Sequence, residues 1–126
     1  MMSYMLPMVP VKPEYAWPEV KDFTRRVATH LAGTLPQAFT ATITKARRKG
    51  RIFIDYLRND RGSTSVAPYS VRARAGAPVS LPLSWDELRR VAGPAAFTLE
   101  NVPRRMVGRA RDPWAGFDRI RQSLRA

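Results

Sequence analysis

The chain has 126 residues, enough for one modest core and too few for two full domains. With 22 Lys and Arg against 10 Asp and Glu it carries a formal charge of +12, which favours polyanionic partners such as nucleic acid, nucleotides or an anionic membrane surface. No cysteine is present, so a disulfide framework and a thiolate zinc site are both excluded.

The opening residues, MMSYMLPMVPVKP, are apolar but interrupted by Pro7 and Pro10, and they lack the cationic start and small-residue cleavage site of a signal peptide. Residues 4–11 are expected to form a ragged or edge strand. No run of roughly 18 apolar residues occurs, so a membrane span is not expected; the absence of cysteine is compatible with a cytoplasmic location, which is expected. Residues 17–33 place Val20, Phe23, Val27 and Leu31 at helical spacing, with Pro18 near the start and Gly33 at the end; this is an amphipathic helix whose other face shows Lys21, Arg25 and Arg26.

Residues 38–44, AFTATIT, alternate in the manner of a half-buried strand. The basic stretch Lys45, Arg47, Arg48 and Lys49 follows, and then RIFIDYL, residues 51–57, which reads as a second strand. An antiparallel hairpin closed by a positively charged loop ending at Gly50 is expected. A turn at Asn59–Gly62 leads to residues 63–74, an extended segment weakened by Pro68. Residues 76–84, GAPVSLPLS, read as a proline-broken linker, and Ser84 with Glu87 form a capping box for a helix stopped by Gly93 and Pro94. Residues 96–103 are expected to be extended. Residues 112–126 are expected to form a final helix with Phe117, Ile120 and Leu124 along one side. The fold class that follows is α+β, a small and mostly antiparallel sheet with helices packed on one face.

Asp55 stands in the middle of the second strand with arginines on both sides of it. A carboxylate is costly to bury alone, so it is paired with a cation, hydrogen-bonded or left facing solvent. Two readings follow: Asp55 pairs with a nearby arginine on an open sheet face, or it is a ligand for a hard divalent ion such as Mg²⁺ or Mn²⁺.

The run TKARRKGRIFIDYLRNDRGSTSVAPYSVRARAGAPVSLPLSWDEL, Thr44 to Leu88, resembles the polymerase domain of bacterial ligase D, a member of the archaeo-eukaryotic primase-polymerase superfamily. The likeness extends upstream to Val9 and downstream through ENVP and DPWAGF. It implies template-directed nucleotide addition during the joining of broken DNA ends, with Mg²⁺ or Mn²⁺ as cofactor and DNA and a nucleoside triphosphate as partners. It implies that Asp55 is a catalytic metal ligand and that Arg58 and Arg72 hold the triphosphate, a task suited to guanidinium forks. Arg47, Arg48 and Lys49 are the candidate nucleic-acid contacts.

The same resemblance shows what the chain lacks. Two-metal transfer needs several carboxylates clamping cations roughly 4 Å apart. The family supplies the other two from an Asp-x-Asp pair, followed by a Ser-x-His element, and neither pattern occurs in the sequence. The remaining acids are scattered, no two of them two apart, and the single histidine, His30, lies within the first helix. The sequence thus corresponds to the C-terminal part of the family's domain, expected to be inactive alone and at most to bind nucleotide or DNA. The alternatives are a polymerase completed by another chain, a non-catalytic basic nucleic-acid-binding module, and a folded remnant with no activity. A remnant should expose apolar surface and self-associate.

Overall fold

The computed structural model describes residues 6–125, which divide into two compact units. One is formed by Val11–Ser65 with the segment from Arg121 onward, the other by Val66–Ile120 with the segment ending at Pro10.

The first unit is built on helix α1, Trp17–Thr34. Pro18 sits in its first turn, where a missing N–H costs nothing, and Glu19 reaches back to accept the Ala16 N–H at 2.7 Å. Ala16 has no side-chain acceptor to return the bond, so this is half of a capping box. Ala28 is fully buried, and Val20 and Phe23 are half-buried, whereas Val27 and Leu31 keep 42% and 36% exposure. The stripe read from the sequence is therefore the inward face, but it is well covered only in the first half of the helix.

Helix α1 packs against strand β1, Phe39–Thr40, which pairs with strand β2, Ile52–Phe53. The pairing is parallel, Phe39 opposite Ile52 and Thr40 opposite Phe53, and it corrects the expected antiparallel hairpin. The Ile52 N–H donates to Ala38 O at 2.7 Å and the Ile54 N–H to Thr40 O at 2.9 Å. Residues 41–51 supply the crossover that a parallel pair requires in place of a tight turn. They coil into a 3-10 helix, Lys45–Arg48, and reverse at Gly50, whose φ of +70° suits glycine. The regular sheet is thus two short parallel strands rather than a mostly antiparallel one, and the mixed helix-and-sheet class stands. The Lys21 ammonium meets the Asp60 carboxylate at 2.5 Å, tying α1 to the turn after β2.

The expected edge strand does not form over residues 6–11, and residues 4 and 5 lie outside the described residues. Pro7 and Pro10 have no N–H to offer a ladder. The final helix is also absent. Only a 3-10 turn, Phe117–Arg119, forms, preceded by Gly116 at φ +82°. Beyond it, Gln122 O accepts the Lys12 N–H at 2.9 Å and the Leu124 N–H donates to the Tyr15 hydroxyl at 2.9 Å, so these backbone groups serve other partners; Ala126 lies outside the described residues.

In the second unit, residues 69–72 run antiparallel to residues 78–80. Tyr69 N–H donates to Ser80 O, Ser80 N–H to Ser70 O, and Arg72 N–H to Pro78 O, at 2.6, 2.9 and 2.8 Å. The turn between them uses Gly76 at φ +84°. The same segment pairs on its other side with residues 97–99, the Val79 N–H reaching Phe97 O at 2.9 Å. Val79, Phe97 and Val102 form the core, packed by Leu81, Leu83, Val91 and Met106. The proline-rich stretch expected as a linker is therefore the centre of this unit. Helix α2, Trp85–Leu88, is a single turn carrying the expected capping box: the Ser84 N–H reaches Glu87 Oε2 at 2.8 Å and the Glu87 N–H reaches Ser84 Oγ at 3.2 Å. Helix α3, Val102–Val107, occupies part of a stretch expected to be extended. Thr98 and Asn101 exchange side-chain bonds to each other's N–H ahead of it, at 3.0 and 3.3 Å, and Pro103 fits its first turn. No helix among the described residues is long and apolar enough to cross a membrane.

Candidate functional site

The backbone leaves β2 at Phe53, and Asp55 follows two residues later. Its Oδ1 accepts the Leu57 N–H at 3.0 Å, the local bond by which an aspartate starts a turn, and its Oδ2 faces Arg58 Nε at 3.6 Å. Arg58 also donates from Nη1 to Thr64 O at 3.3 Å. Asp55 is therefore not embedded in a strand. It ends one, with 37% of its side chain exposed. Exposed and paired, the carboxylate avoids the cost of burial that made it anomalous in the sequence.

The basic stretch forms the 3-10 helix that crosses between the strands. Arg47 and Lys49 are exposed, while Arg48 is half-buried with its guanidinium carbon 4.3 Å from the centroid of the Phe53 ring. Cation–π attraction of this kind, about 0.5–2 kcal/mol, pins the crossover to β2. Arg47 and Lys49 project their charge at an anchored turn. Arg72 belongs to the other unit, where its N–H holds the reversal after Tyr69 and its side chain is half-buried. The structure thus brings Asp55 to Arg58, and Arg48 to Phe53.

The donors present do not fit a two-metal centre. Among the described residues no three His, Cys, Asp or Glu side chains gather where they could hold an ion. The other acids have their own partners or face solvent: Asp22 pairs with Arg25 at 2.6 Å and Arg26 at 3.3 Å, Asp60 with Lys21, and His30 is exposed on α1. Hydrogen bonding from Lys21 and from the Arg61 N–H holds the Asp60 carboxyl below its usual range.

A second polar cluster was not legible as a site. Glu87, read only as a capping acid, also accepts from Arg109 Nη2 at 3.1 Å and faces Arg105 Nη2 at 3.9 Å. Arg109 is 10% exposed and donates to Pro82 O at 2.7 Å, and Arg105 lies 4.8 Å from the centroid of Phe97. Burial pushes the Glu87 carboxyl up, but the Ser84 N–H and the Arg109 guanidinium outweigh it and hold it below the ordinary value. Nearby in the same unit the Tyr69 hydroxyl donates to Asp112 at 2.8 Å; Tyr69 takes a φ of +61°, uncommon for an aromatic residue. The Trp114 N–H and that hydroxyl keep the Asp112 carboxyl low. The capping box was the only sequence signal here, because the partner Arg109 lies 22 residues beyond Glu87 with no fixed spacing to mark it.

Comparison with known proteins gives one consistent result. The family model of the LigD primase-polymerase domain matches residues 7–114. The multifunctional non-homologous end joining protein LigD of Pseudomonas aeruginosa is 43% identical over 120 residues, covering 94% of this chain and 14% of that protein. The bifunctional LigD of Bacillus subtilis is 32% identical over 95 residues, covering 75% of this chain and 16% of its own. Among solved structures, the polymerase domain of Mycobacterium tuberculosis ligase D in complex with DNA superposes with a TM-score of 0.66 at 30% identity, covering 73% of this chain and 32% of that one. The chain thus spans about a seventh of the length of these curated relatives and a third of the solved domain.

Proposed function

The chain belongs to the LigD primase-polymerase family, and on that premise we propose that it is a DNA- and nucleotide-binding part of a polymerase that acts in non-homologous end joining, without nucleotidyl transfer of its own. The observation that carries this reading is the exposed carboxylate of Asp55 held beside Arg58, two residues after the strand that the basic crossover enters. Arg47, Arg48 and Lys49 supply phosphate contacts to DNA, the ligand bound in the related mycobacterial structure. Arg58 and Arg72 hold the triphosphate of a nucleotide, because planar guanidinium groups meet phosphate oxygens in pairs.

Asp55 is one ligand for Mg²⁺ or Mn²⁺ in this reading. A carboxylate supplies a hard oxygen donor, but one is fewer than a transfer site needs, so no chemical step is assigned to this chain alone. Full activity calls for carboxylates from another polypeptide segment. Apolar side chains left open in the first unit are suited to association with such a segment or with a second copy: Ile43, Ile52 and Leu35 are 59%, 63% and 50% exposed.

The test is a nucleoside triphosphate titration with Mn²⁺ or Mg²⁺ on the native protein, Asp55→Ala and Arg72→Ala, alongside primer extension by the isolated chain. Metal-dependent binding weakened by both substitutions, with no extension, is the expected outcome. Extension by the isolated chain would show that it needs no further carboxylates.

A further inference from the structure

The Val66–Ile120 unit contains an open cleft of about 520 Å³ whose walls include Ser84, Glu87, Arg109, Arg111 and Asp112. That volume falls in the range of small-molecule sites and admits a phosphate group with a substituent attached. None of the residues proposed for nucleotide or DNA binding lines it.

The charges in the wall are unevenly engaged. Glu87 is a single carboxylate between Arg109 and Arg105, and it also accepts the Ser84 N–H. Asp112 is occupied by the Tyr69 hydroxyl at 2.8 Å and the Trp114 N–H at 2.9 Å. The walls thus carry two carboxylates, both already engaged, and two arginines, of which Arg109 is committed to Glu87 and Arg111 is not.

The donors are not saturated either. Arg109 is nine-tenths buried; its Nε has no hydrogen-bond partner among the described residues and almost no accessible surface, and its Nη1 lies 3.8 Å from the Met106 sulfur. Arg111, two residues on, is exposed and makes no hydrogen bond or ion pair with any described residue. One arginine is thus fixed rigidly in the wall by Glu87 and Pro82 O, and a second is free to close on whatever enters.

The geometry points to this cleft as an oxyanion site that takes a phosphate group, with Arg109 as the fixed cation and Arg111 as the mobile one. Phosphate is favoured over a simple halide because its several oxygens can accept from two guanidinium groups at once. The group can belong to a free small molecule or to a nucleic-acid strand, and the chemistry of recognition is the same.

Titration of the full chain with inorganic phosphate, followed by calorimetry or by amide shifts of residues 108–113, tests this directly. Saturable binding is expected, weakened about tenfold or more in Arg111→Gln, since one charge-assisted contact is lost. Arg104→Gln, which removes another exposed cation of the same unit that does not line the cleft, should change it by no more than about twofold. Because Arg111 has no partner to lose, its variant should melt with the native protein. Competition by an oligonucleotide without terminal phosphate would identify a strand as the source, and phosphate binding that such a strand leaves undisturbed would identify a small molecule. Absence of saturable binding at millimolar phosphate, or equal losses in the two variants, would overturn the assignment.

Discussion

Asp55 Oδ2 stands 3.6 Å from Arg58 Nε, both side chains open to solvent, one turn after β2 ends. The pair couples an oxygen donor suited to a cation with a cation suited to phosphate. Exposed pairs contribute about 0–1 kcal/mol, so its value to folding is small and its removal is informative.

Asp55→Ala should leave the melting temperature nearly unchanged while shifting nucleotide binding in opposite directions with and without metal. Without a divalent ion, loss of the carboxylate frees Arg58 and removes a negative charge, so triphosphate binds more tightly. With Mn²⁺, a ligand to the ion is lost and binding weakens. Paired titrations in chelator and in Mn²⁺ check both signs, and a change of the same sign in both would show that Asp55 acts only as the partner of Arg58.

The anchored basic turn predicts a salt-dependent affinity for DNA. Arg47→Gln and Lys49→Gln should each reduce the slope of log K against log salt by about 0.9 on duplex DNA and weaken binding to all sequences alike. Fluorescence anisotropy at several salt concentrations measures the slope. Arg48→Gln should in addition lower the melting temperature, because its guanidinium holds the crossover against Phe53.

Glu87 links fold and pH. Its carboxyl is held below the ordinary value of 4.5 in the folded state, so the unfolded chain binds more protons in the window between the two values. Stability from this group is therefore fully present above about pH 4.5 and is lost as pH falls through the folded value. Glu87→Gln should show a shallower loss of stability in acid. At neutral pH it should cost about 2 kcal/mol, a discounted value for a partly buried pair, because Arg109 is left with a buried charge. Thermal melts from pH 3 to pH 7 on both proteins provide the comparison.

Association through the open apolar residues should respond to salt in the sense opposite to DNA binding. With a net charge of +12, two copies repel at low ionic strength, and screening relieves that repulsion while leaving apolar attraction in place. Sedimentation at rising salt should show growth of a larger species, reduced by Ile52→Arg. A monomer at all salt concentrations and high protein concentration would remove this prediction.

Some of this structure could be read from residue spacing and some could not. Helix α1 was legible because Val20, Phe23, Val27 and Leu31 recur at helical spacing after Pro18, and the Ser84–Glu87 box was legible because its chemistry is local. The strand pairing was not, since alternation marks a strand without fixing its direction. The sense of β2 was decided by Lys45–Arg48 coiling into a crossover instead of a tight turn. The final helix failed for a related reason: Phe117, Ile120 and Leu124 keep helical spacing, yet Gly116 breaks the entry and the backbone at Gln122 and Leu124 bonds to Lys12 and Tyr15. The stretch 76–84 looked like a linker from its prolines, although Val79 is at the centre of a core. Asp55 and Arg58 were legible as neighbours three apart, but the long-range partnership of Glu87 with Arg109 depended on tertiary structure.

The most direct measurement is the affinity for a nucleoside triphosphate in Mn²⁺ for the native protein, Asp55→Ala and Arg72→Ala, each checked for an unchanged melt. Binding that depends on the metal and falls about tenfold or more in both variants is the predicted result. Equal affinity in all three proteins would contradict the account and leave the family's fold without its nucleotide site.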